Sequence, residues 1–327
     1  MVLRAGLAGL GSMGRNHARV LQSLEGVELV ATADPAGDRF DSLGGVAVVP
    51  DLHALLGMNL DYVVIALPTA LHETAALACA EAGVAALIEK PLATDAAAAQ
   101  RVATAFNDRG LVGAVGHIER YNPSLQQARR RIGNGDLGEI LQIATRRLGP
   151  FPARISDVGV VRDLGTHDID LTAWVAQRPY VSVAAQTAHR SGRPHEDLVS
   201  ITGLLADGIV TSHLISWLSP FKERQTVITG DRGTFIADTL SADLTFYENG
   251  SVLTGWDAVS KFRGVSEGDV IRYAFAKPEP LRVEHETFRD AVLGLDAGIV
   301  TLEQGMQTVR VADAVAQSAS AGQTVAV

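Results

Sequence analysis

Residues 2–14, VLRAGLAGLGSMG, are the stretch that decides the fold of the first third of this 327-residue chain. Their apolar part, residues 2–8, is typical of a short buried strand. Residues 9–14 have the glycine spacing G-x-G-x-x-G, and residues 15–24 follow with helical periodicity. A strand, a glycine turn and a helix in this order are the context that a dinucleotide-binding motif requires.

Each glycine of this motif has its own expected role. Gly9 permits the tight turn, Gly11 lets the backbone approach a pyrophosphate, and Gly14 lets the helix pack closely on the strand. The N-terminus of the helix offers unpaired N–H groups and a partial positive charge to phosphates. The predicted cofactor contacts in this loop are therefore Gly9, Gly11, Ser12, Met13 and Gly14.

Asp34 ends the second apolar run, residues 27–33, where a carboxylate can accept a hydrogen bond from a ribose 2′-hydroxyl. Its charge would repel a 2′-phosphate and no arginine directly follows it, so the sequence favours NAD over NADP. Arg39 keeps NADP open. In a purely structural alternative, the glycines form a turn and Asp34 caps a helix.

The first 118 residues alternate between strand-like and helical runs. Strands separated by helices indicate a doubly wound parallel sheet with right-handed crossovers. This pattern predicts an α/β fold whose first domain, residues 1–118, is a Rossmann dinucleotide-binding domain. The apolar runs assigned to its strands are residues 2–8, 27–33, 61–67, 84–88 and 111–116.

The rest of the chain, residues 119–327, has a different pattern. Strand-like runs follow one another without intervening helices, and Ala206-Asp207-Gly208 between two of them is a hairpin signal. Such a succession predicts an α+β domain with a mostly antiparallel sheet and helices on one face. A C-terminal helix that packs back on the first domain is an alternative. The runs are residues 181–189, 198–205, 209–216 and 225–228.

Composition and charge exclude several classes of protein. A hydrophobic fraction of 47% excludes a disordered chain, and a net charge of −9 argues against a broad nucleic-acid surface. Cys79 is the single cysteine, so neither an intrachain disulfide nor a zinc cluster is expected, and a cytoplasmic protein is the simplest interpretation. We expect no signal peptide and no membrane span.

Two constellations carry candidate chemistry. Lys90, in the Glu89-Lys90-Pro91 tripeptide, follows a predicted strand, at the sheet edge where open α/β folds bind ligands. Asp163 and His167 are four residues apart, which places them on one face of a helix and suits a carboxylate-supported acid–base histidine. The structural alternatives are a surface lysine before a turn, a capping aspartate and a core histidine.

A metal site built from His167, Asp168 and Asp170 is the third alternative for the second constellation. Residues one and three positions apart do not converge on one helix face, so no metal is predicted.

Three motifs give the chain a resemblance to a known family. GLGSMGRNHAR at residues 9–19, EKP at 89–91 and the D-x-x-x-H of DLGTHDIDL at 163–171 occur in the order of the glucose–fructose oxidoreductase/inositol dehydrogenase (Gfo/Idh/MocA) family. The resemblance implies a Rossmann domain, then a domain whose large open sheet mediates oligomerisation. It also implies NAD(P)-dependent chemistry at a carbohydrate or cyclitol hydroxyl.

The resemblance assigns roles to individual residues. Lys90 matches the family's active-site lysine, and Asp163 with His167 matches its acid–base pair. Other matches lie near the nicotinamide: Pro68, Thr69 and His72 line its ring side, and Glu89 lies by its ribose.

A second resemblance concerns the substrate. GHIERYNP at residues 116–123, the stretch at 146–170 and EPLRVE at 279–284 are similar to the branch of UDP-N-acetylglucosamine 3-dehydrogenases. Tyr121 and Asn122 directly follow the Rossmann domain, so they are candidate sugar contacts, and structural roles at the domain junction are equally open. Three arginines could form a basic patch for a diphosphate, or could be solvated loop residues: Arg146, Arg147 and Arg154.

The leading hypothesis is an NAD-dependent oxidoreductase that acts on a ring hydroxyl of a sugar or nucleotide-sugar. An inositol dehydrogenase performs the same chemistry on another ring. A non-enzymatic NAD-binding regulator is the alternative from another class, and it would be expected to lose Lys90, Asp163 or His167. We expect a homodimer or homotetramer whose substrate is a small molecule, without nucleic-acid or membrane partners.

Overall fold

A computed structural model describes residues 2–39, 41, 43–152, 158–250 and 268–327. The chain divides into two compact units. The first comprises Met1–Ile118 and Pro278–Asp313, and the second comprises Glu119–Lys277 and Ala314–Val327. The expected domains, residues 1–118 and 119–327 with a C-terminal helix on the first domain as the alternative, stay a prediction.

The first unit is built on a six-stranded parallel sheet with the order β3-β2-β1-β4-β5-β6. This is the strand order of doubly wound dinucleotide-binding sheets. Strands β1 to β3 are added toward one edge and β4 to β6 toward the other, so the order of addition reverses between β1 and β4. The strands are β1 (Leu3–Ala8), β2 (Val27–Ala33), β3 (Ala47–Val49), β4 (Tyr62–Ile65), β5 (Ala85–Glu89) and β6 (Gly113–Gly116). The predicted Rossmann sheet is confirmed, with β3 as a strand that the sequence analysis missed.

Four helices connect these strands. Asp51 and Asp95 cap two of them, since each carboxylate accepts a hydrogen bond from a backbone N–H of the first turn. A 3₁₀ turn, Thr69–Leu71, precedes the third. The helices are α1 (Ser12–Gln22), α2 (Leu52–Leu56), α3 (His72–Glu81) and α4 (Ala96–Asn107).

The second unit contains a nine-stranded sheet with the order β14-β13-β12-β11-β7-β10-β9-β8-β15. Every neighbouring pair is antiparallel except β7 and β10, so the predicted mostly antiparallel sheet is confirmed. The strands are β7 (Ile140–Pro150), β8 (Tyr180–Ala188), β9 (Leu198–Leu205), β10 (Val210–Ser216), β11 (Leu218–Gly230), β12 (Gly233–Asp238), β13 (Asp243–Glu248), β14 (Val270–Arg272) and β15 (Val325–Ala326).

One face of this sheet is covered within the unit. In β9 and β10 buried residues alternate with less buried ones, as expected for a sheet with one covered face. Helices α5 (Pro123–Gly133) and α6 (Thr166–Ala176) pack on strands of the sheet. The β9–β10 hairpin turns through Asp207 and Gly208, which both have positive φ, as its sequence predicts.

Two further helices follow residue 278. Helix α7 (Pro280–Val292) lies in the first unit, where Phe288 stacks edge-on against Tyr62 of β4 with ring centroids 5.3 Å apart. Helix α8 (Leu302–Ala321) begins in the first unit and ends in the second. Across the described part of the chain, no helix combines the length and the apolar character needed to span a membrane.

Candidate functional site

The glycine loop after β1 has the shape that its sequence predicts. Gly9 has φ +96°, and a Cβ atom there would lie 2.5 Å from the Ala66 carbonyl oxygen beyond β4. A Cβ atom on Gly14 would lie 2.0 Å from the Gly9 carbonyl oxygen. Both distances are far below van der Waals contact, so only glycine permits this approach of loop, helix and neighbouring strand.

Gly11 differs from these two glycines because a Cβ atom there would point into open space. Gly11 is the N-cap of α1 and makes no side-chain cap hydrogen bond, and Ser12 and Met13 form the first turn. The helix therefore presents backbone N–H groups beside a position kept open by the missing side chain. This cradle lies after β1, at the point where the strand order reverses, and it fits a dinucleotide pyrophosphate.

Asp34, at the end of β2, is hydrogen-bonded to the glycine loop. One carboxylate oxygen accepts a hydrogen bond from the Leu10 N–H at 2.7 Å, and the other accepts one from the Ala36 N–H at 2.8 Å. A carboxylate has about four acceptor positions, so capacity for a ribose hydroxyl remains. Arg39 is exposed, and the preference for NAD over NADP stays a prediction.

His72 connects the ends of β4 and β5. It is 1% exposed, and its two ring nitrogens each lie 2.8 Å from a carbonyl oxygen, one of Leu67 and one of Pro91. Burial lowers the pKa of His72, and the two carbonyl contacts oppose that lowering. His72 therefore holds in place the loops that carry Pro68, Thr69 and Lys90.

Glu89 ends β5 and is buried beneath Lys90. One carboxylate oxygen accepts a hydrogen bond from the Lys90 backbone N–H at 3.0 Å, and the other lies 2.9 Å from Nε2 of His17 on α1. Burial alone would raise the pKa of Glu89, but the His17 bond and the nearby charges hold it below its ordinary value. Sequence reasoning missed His17, although it stands inside the quoted GLGSMGRNHAR motif.

In the second unit, Asp163 and His167 do not lie on one continuous α-helix as predicted. Asp163 is buried in a π-helical turn, Val161–Gly165, and His167 lies in the first turn of α6 and is partly buried. The face-sharing argument for residues four apart assumes α-helical geometry, so it does not apply across this junction. Short π-helical turns often occur at functional sites, and the acid–base roles stay predictions.

Asp168 and Asp170, which were considered as ligands of a metal site, are paired with arginines. Asp170 forms a two-pronged pair with Arg120 at 2.7 Å, and Asp168 accepts a hydrogen bond from Arg147 at 3.0 Å. Burial raises the pKa of Asp168 even beside Arg147. Among the described residues, no group of three or more His, Cys, Asp or Glu side chains could hold a metal ion.

The predicted arginine patch does not form from Arg146 and Arg147. Neighbouring residues of a strand point to opposite faces, so Arg147 is buried between Glu119 and Asp168 while Arg146 is exposed and pairs with Glu223. The third arginine of the patch, Arg154, lies outside the described residues.

The candidate sugar contacts Tyr121 and Asn122 are both buried. Asn122 caps α5 by accepting a hydrogen bond from the Ser124 N–H at 3.1 Å, and it donates one to the Thr239 carbonyl oxygen at 3.0 Å. Asn122 thus has a structural role of the kind that the sequence left open. Its amide oxygen and its amide nitrogen each already form a hydrogen bond.

Comparison with protein families decides the family. Residues 3–117 match the model of the oxidoreductase family with an NAD-binding Rossmann fold, and residues 125–236 match the GFO/IDH/MocA C-terminal domain. The chain belongs to the GFO/IDH/MocA family. The resemblance seen in the motifs is confirmed, and the family is one of NAD-binding oxidoreductases.

Relatives of the chain are named as dehydrogenases of inositol and of UDP-N-acetylglucosamine. The chain is 33% identical to inositol 2-dehydrogenase 2 of Saccharopolyspora erythraea over 60% of each chain. It is 33% identical to UDP-N-acetylglucosamine 3-dehydrogenase of Acidithiobacillus ferrooxidans, over 56% of this chain and 57% of the relative. The alignments thus span less than two thirds of these relatives' lengths.

A solved GFO/IDH/MocA structure is similar to the whole chain. It is the UDP-N-acetylglucosamine 3-dehydrogenase GnnA from Acidithiobacillus ferrooxidans, which superposes with a TM-score of 0.85 and 26% identity over 98% of both chains. This likeness covers both units and so extends beyond the shorter sequence alignments.

Proposed function

We propose that this chain is an NAD-dependent dehydrogenase that transfers a hydride between the nicotinamide and a ring secondary hydroxyl of a sugar or nucleotide-sugar. The observation that carries the proposal is the glycine cradle at residues 9–14, in a chain that also keeps Lys90, Asp163 and His167. A regulator without activity would be free to lose any of these three side chains.

The cofactor-binding half of the proposal uses the first unit. The N–H groups at the start of α1 would hold the pyrophosphate, and the free acceptor positions of Asp34 would hold a ribose hydroxyl. NAD, when bound, supplies the hydride acceptor or donor. His72 keeps the Leu67 and Pro91 backbone in place around the nicotinamide side.

The proton chemistry is assigned to three side chains. Lys90 donates a hydrogen bond to the substrate oxygen and orients it, and His167 accepts the hydroxyl proton during oxidation. Asp163 orients His167 and favours its charged form. The reverse reaction uses the same groups with the proton returned to the oxygen.

Two substrate classes are favoured by separate observations. A nucleotide-sugar such as UDP-N-acetylglucosamine, oxidised at its 3-hydroxyl, is supported by the likeness to GnnA over 98% of both chains. A free inositol is supported by the 33% identity to an inositol 2-dehydrogenase. An assay of NAD reduction with UDP-amino sugars, free sugars and inositols tests both, and a purified NAD-binding protein that reduces NAD with none of them contradicts the proposal.

Oligomerisation is proposed from the second face of the nine-stranded sheet, which carries exposed apolar side chains in the described part of the chain. Leu204 and Val210 are paired across β9 and β10 and are 38% and 44% exposed. Apolar side chains paired on an exposed sheet face support association of this face with a second copy of the chain.

A cytoplasmic location is proposed from the single cysteine, Cys79, which is buried with its thiol pKa raised to about 12.

A further inference from the structure

A line of buried polar side chains runs through the first unit behind the Glu89-Lys90 segment. Nε2 of His17 lies 2.9 Å from Glu89, and Nδ1 of His17 lies 2.8 Å from Nε2 of His285. The exposed fractions are 0% for His17, 8% for Glu89 and 1% for His285. Three elements contribute: α1 carries His17, β5 ends with Glu89, and α7 carries His285.

The hydrogen bond between His17 and Glu89 has a fixed direction. An ionised Glu89 can only accept, so Nε2 of His17 donates to it. The other ring nitrogen of His17, Nδ1, is within hydrogen-bonding distance of Nε2 of His285, and the tautomers of the two rings decide which of them donates. Burial and the neighbouring His17 lower the pKa of His285 well below its ordinary value, so His285 is neutral and carries a single ring N–H.

Packing alone does not account for these groups. Burying a charged or polar side chain costs free energy that apolar side chains of similar size would not cost. The line of side chains ends at the backbone of Lys90, because the second oxygen of Glu89 accepts a hydrogen bond from the Lys90 N–H. On its other side Glu89 is confined, since a Cβ atom at Gly116 would lie 3.3 Å from its carboxyl carbon.

We propose that His17 and His285 are positioning residues for NAD binding, which hold the carboxylate of Glu89, and through it the Lys90 backbone, beside the helix that begins at the glycine motif. His17 stands on that same helix, less than one turn after Gly14. Loss of the His17 bond would leave Glu89 as a buried charge with one donor fewer and free to shift. The inference rests on the NAD binding of the proposed function and does not use the proposed sugar oxidation.

Two substitutions at position 17 separate positioning from packing. In His17→Gln the side-chain amide reaches the place of Nε2 and keeps a donor for Glu89, whereas in His17→Asn the amide lies near Nδ1 and Glu89 loses its donor. We expect His17→Asn to weaken NAD binding by up to about 100-fold, the limit reached when the whole free energy of this hydrogen bond to a charged group is lost from the NAD-bound state. His17→Gln should stay within about threefold of wild type.

The matched control is His213→Asn. His213 is also buried, on β10 of the second unit, where its ring nitrogens contact Thr145 and Tyr180. Its loss should lower the melting temperature without changing the Kd for NAD. Calorimetric titration with NAD and thermal melting on the same preparations measure both quantities for all three variants and the wild type.

Equal NAD affinities for His17→Asn and His17→Gln in folded protein overturn the proposal, as does a wild-type protein that binds no NAD. If His17→Asn does not fold, His285→Asn and His285→Gln repeat the comparison one bond further away, with Gln again the milder change. A wild type that binds NAD but oxidises no sugar refutes the proposed function only, because the Kd comparison still decides the roles of His17 and His285.

Discussion

The carboxylate of Asp34 accepts a hydrogen bond from the backbone N–H of Leu10 at 2.7 Å. Asp34, which is expected to bind the ribose hydroxyl, thus also holds the glycine loop to the end of β2. A change at Asp34 therefore affects both the shape of the loop and the choice of cofactor, and a test has to separate the two.

Asp34→Asn removes the negative charge and keeps one acceptor oxygen, which suffices for the Leu10 N–H, while the bond from the Ala36 N–H is lost because the amide NH2 cannot accept. We expect the wild type to bind NAD more tightly than NADP, and the substitution to shift the ratio toward NADP by about tenfold because repulsion of a 2′-phosphate is lost. Calorimetric titration with both cofactors measures the ratio. NADP binding at least as tightly as NAD in the wild type would refute the assignment.

Gly11→Ala and Gly14→Ala should have different effects. A Cβ atom on Gly11 meets nothing in the protein, so the variant should melt like wild type but lose NAD affinity, because the methyl group enters the cradle. A Cβ atom on Gly14 collides with backbone, so that variant should also lose stability, by about 1–3 kcal/mol. Gly133→Ala, at the end of α5 with open space around it, is the control. An unchanged NAD affinity in Gly11→Ala would contradict the cradle.

His167→Asn should bind NAD like the wild type and lose turnover by roughly 10²–10⁴-fold, the usual contribution of a placed acid–base group. Lys90→Ala should lose turnover as well, and the two losses should combine to less than their product, because residues that act as a unit are not additive. A core-histidine role predicts the opposite: a lower melting temperature with normal turnover. Turnover and melting temperature on one preparation distinguish the two roles.

Glu284, on α7, should make stability depend on pH. It is 1% exposed, and neither carboxyl oxygen has a hydrogen-bond partner among the described residues. Burial and the charge of Glu89 raise its pKa well above the ordinary value of 4.5. The folded state then keeps a proton that the unfolded state loses above about pH 4.5, so this group lowers stability as pH rises.

Glu284→Gln replaces the protonated carboxyl with an uncharged group of the same shape. Its melting temperature should match that of the wild type near pH 4.5 and exceed it by a growing margin toward pH 8. Thermal melts across this range measure the difference. A constant difference at all pH values would show that Glu284 does not titrate as argued.

Val210→Glu should convert an oligomer into a monomer. Val210 lies beside Leu204, and both are exposed among the described residues; a charge buried in an interface without a partner is costly. Light scattering at micromolar concentration should show at least a dimer for the wild type. Leu240→Glu, at a residue that is 54% exposed between β12 and β13, should leave the oligomer intact. A monomeric wild type would exclude this interface.

Local sequence determined much of the first unit. The spacing of Gly9, Gly11 and Gly14 and the acid at Asp34 specify a turn, a helix start and an acceptor within a short stretch, and backbone sterics make these consequences local. Continuous apolar runs likewise predicted most of the parallel strands, because strands buried on both faces have no polar alternation. The short strand β3 has two exposed residues, and it was missed for that reason.

Tertiary structure decided what depends on contacts between distant segments. The π-helical turn at Val161–Gly165 separates Asp163 from the regular helix of His167, and apolar periodicity does not reveal it. Arg146 and Arg147 looked equivalent in sequence until pairing in the sheet assigned them to opposite faces. His285 comes 196 residues after Glu89 in the sequence, and only the return of α7 to the first unit brings it into line with His17 and that carboxylate. A buried polar group requires a partner but does not specify which distant residue supplies it, so that choice was made by the fold.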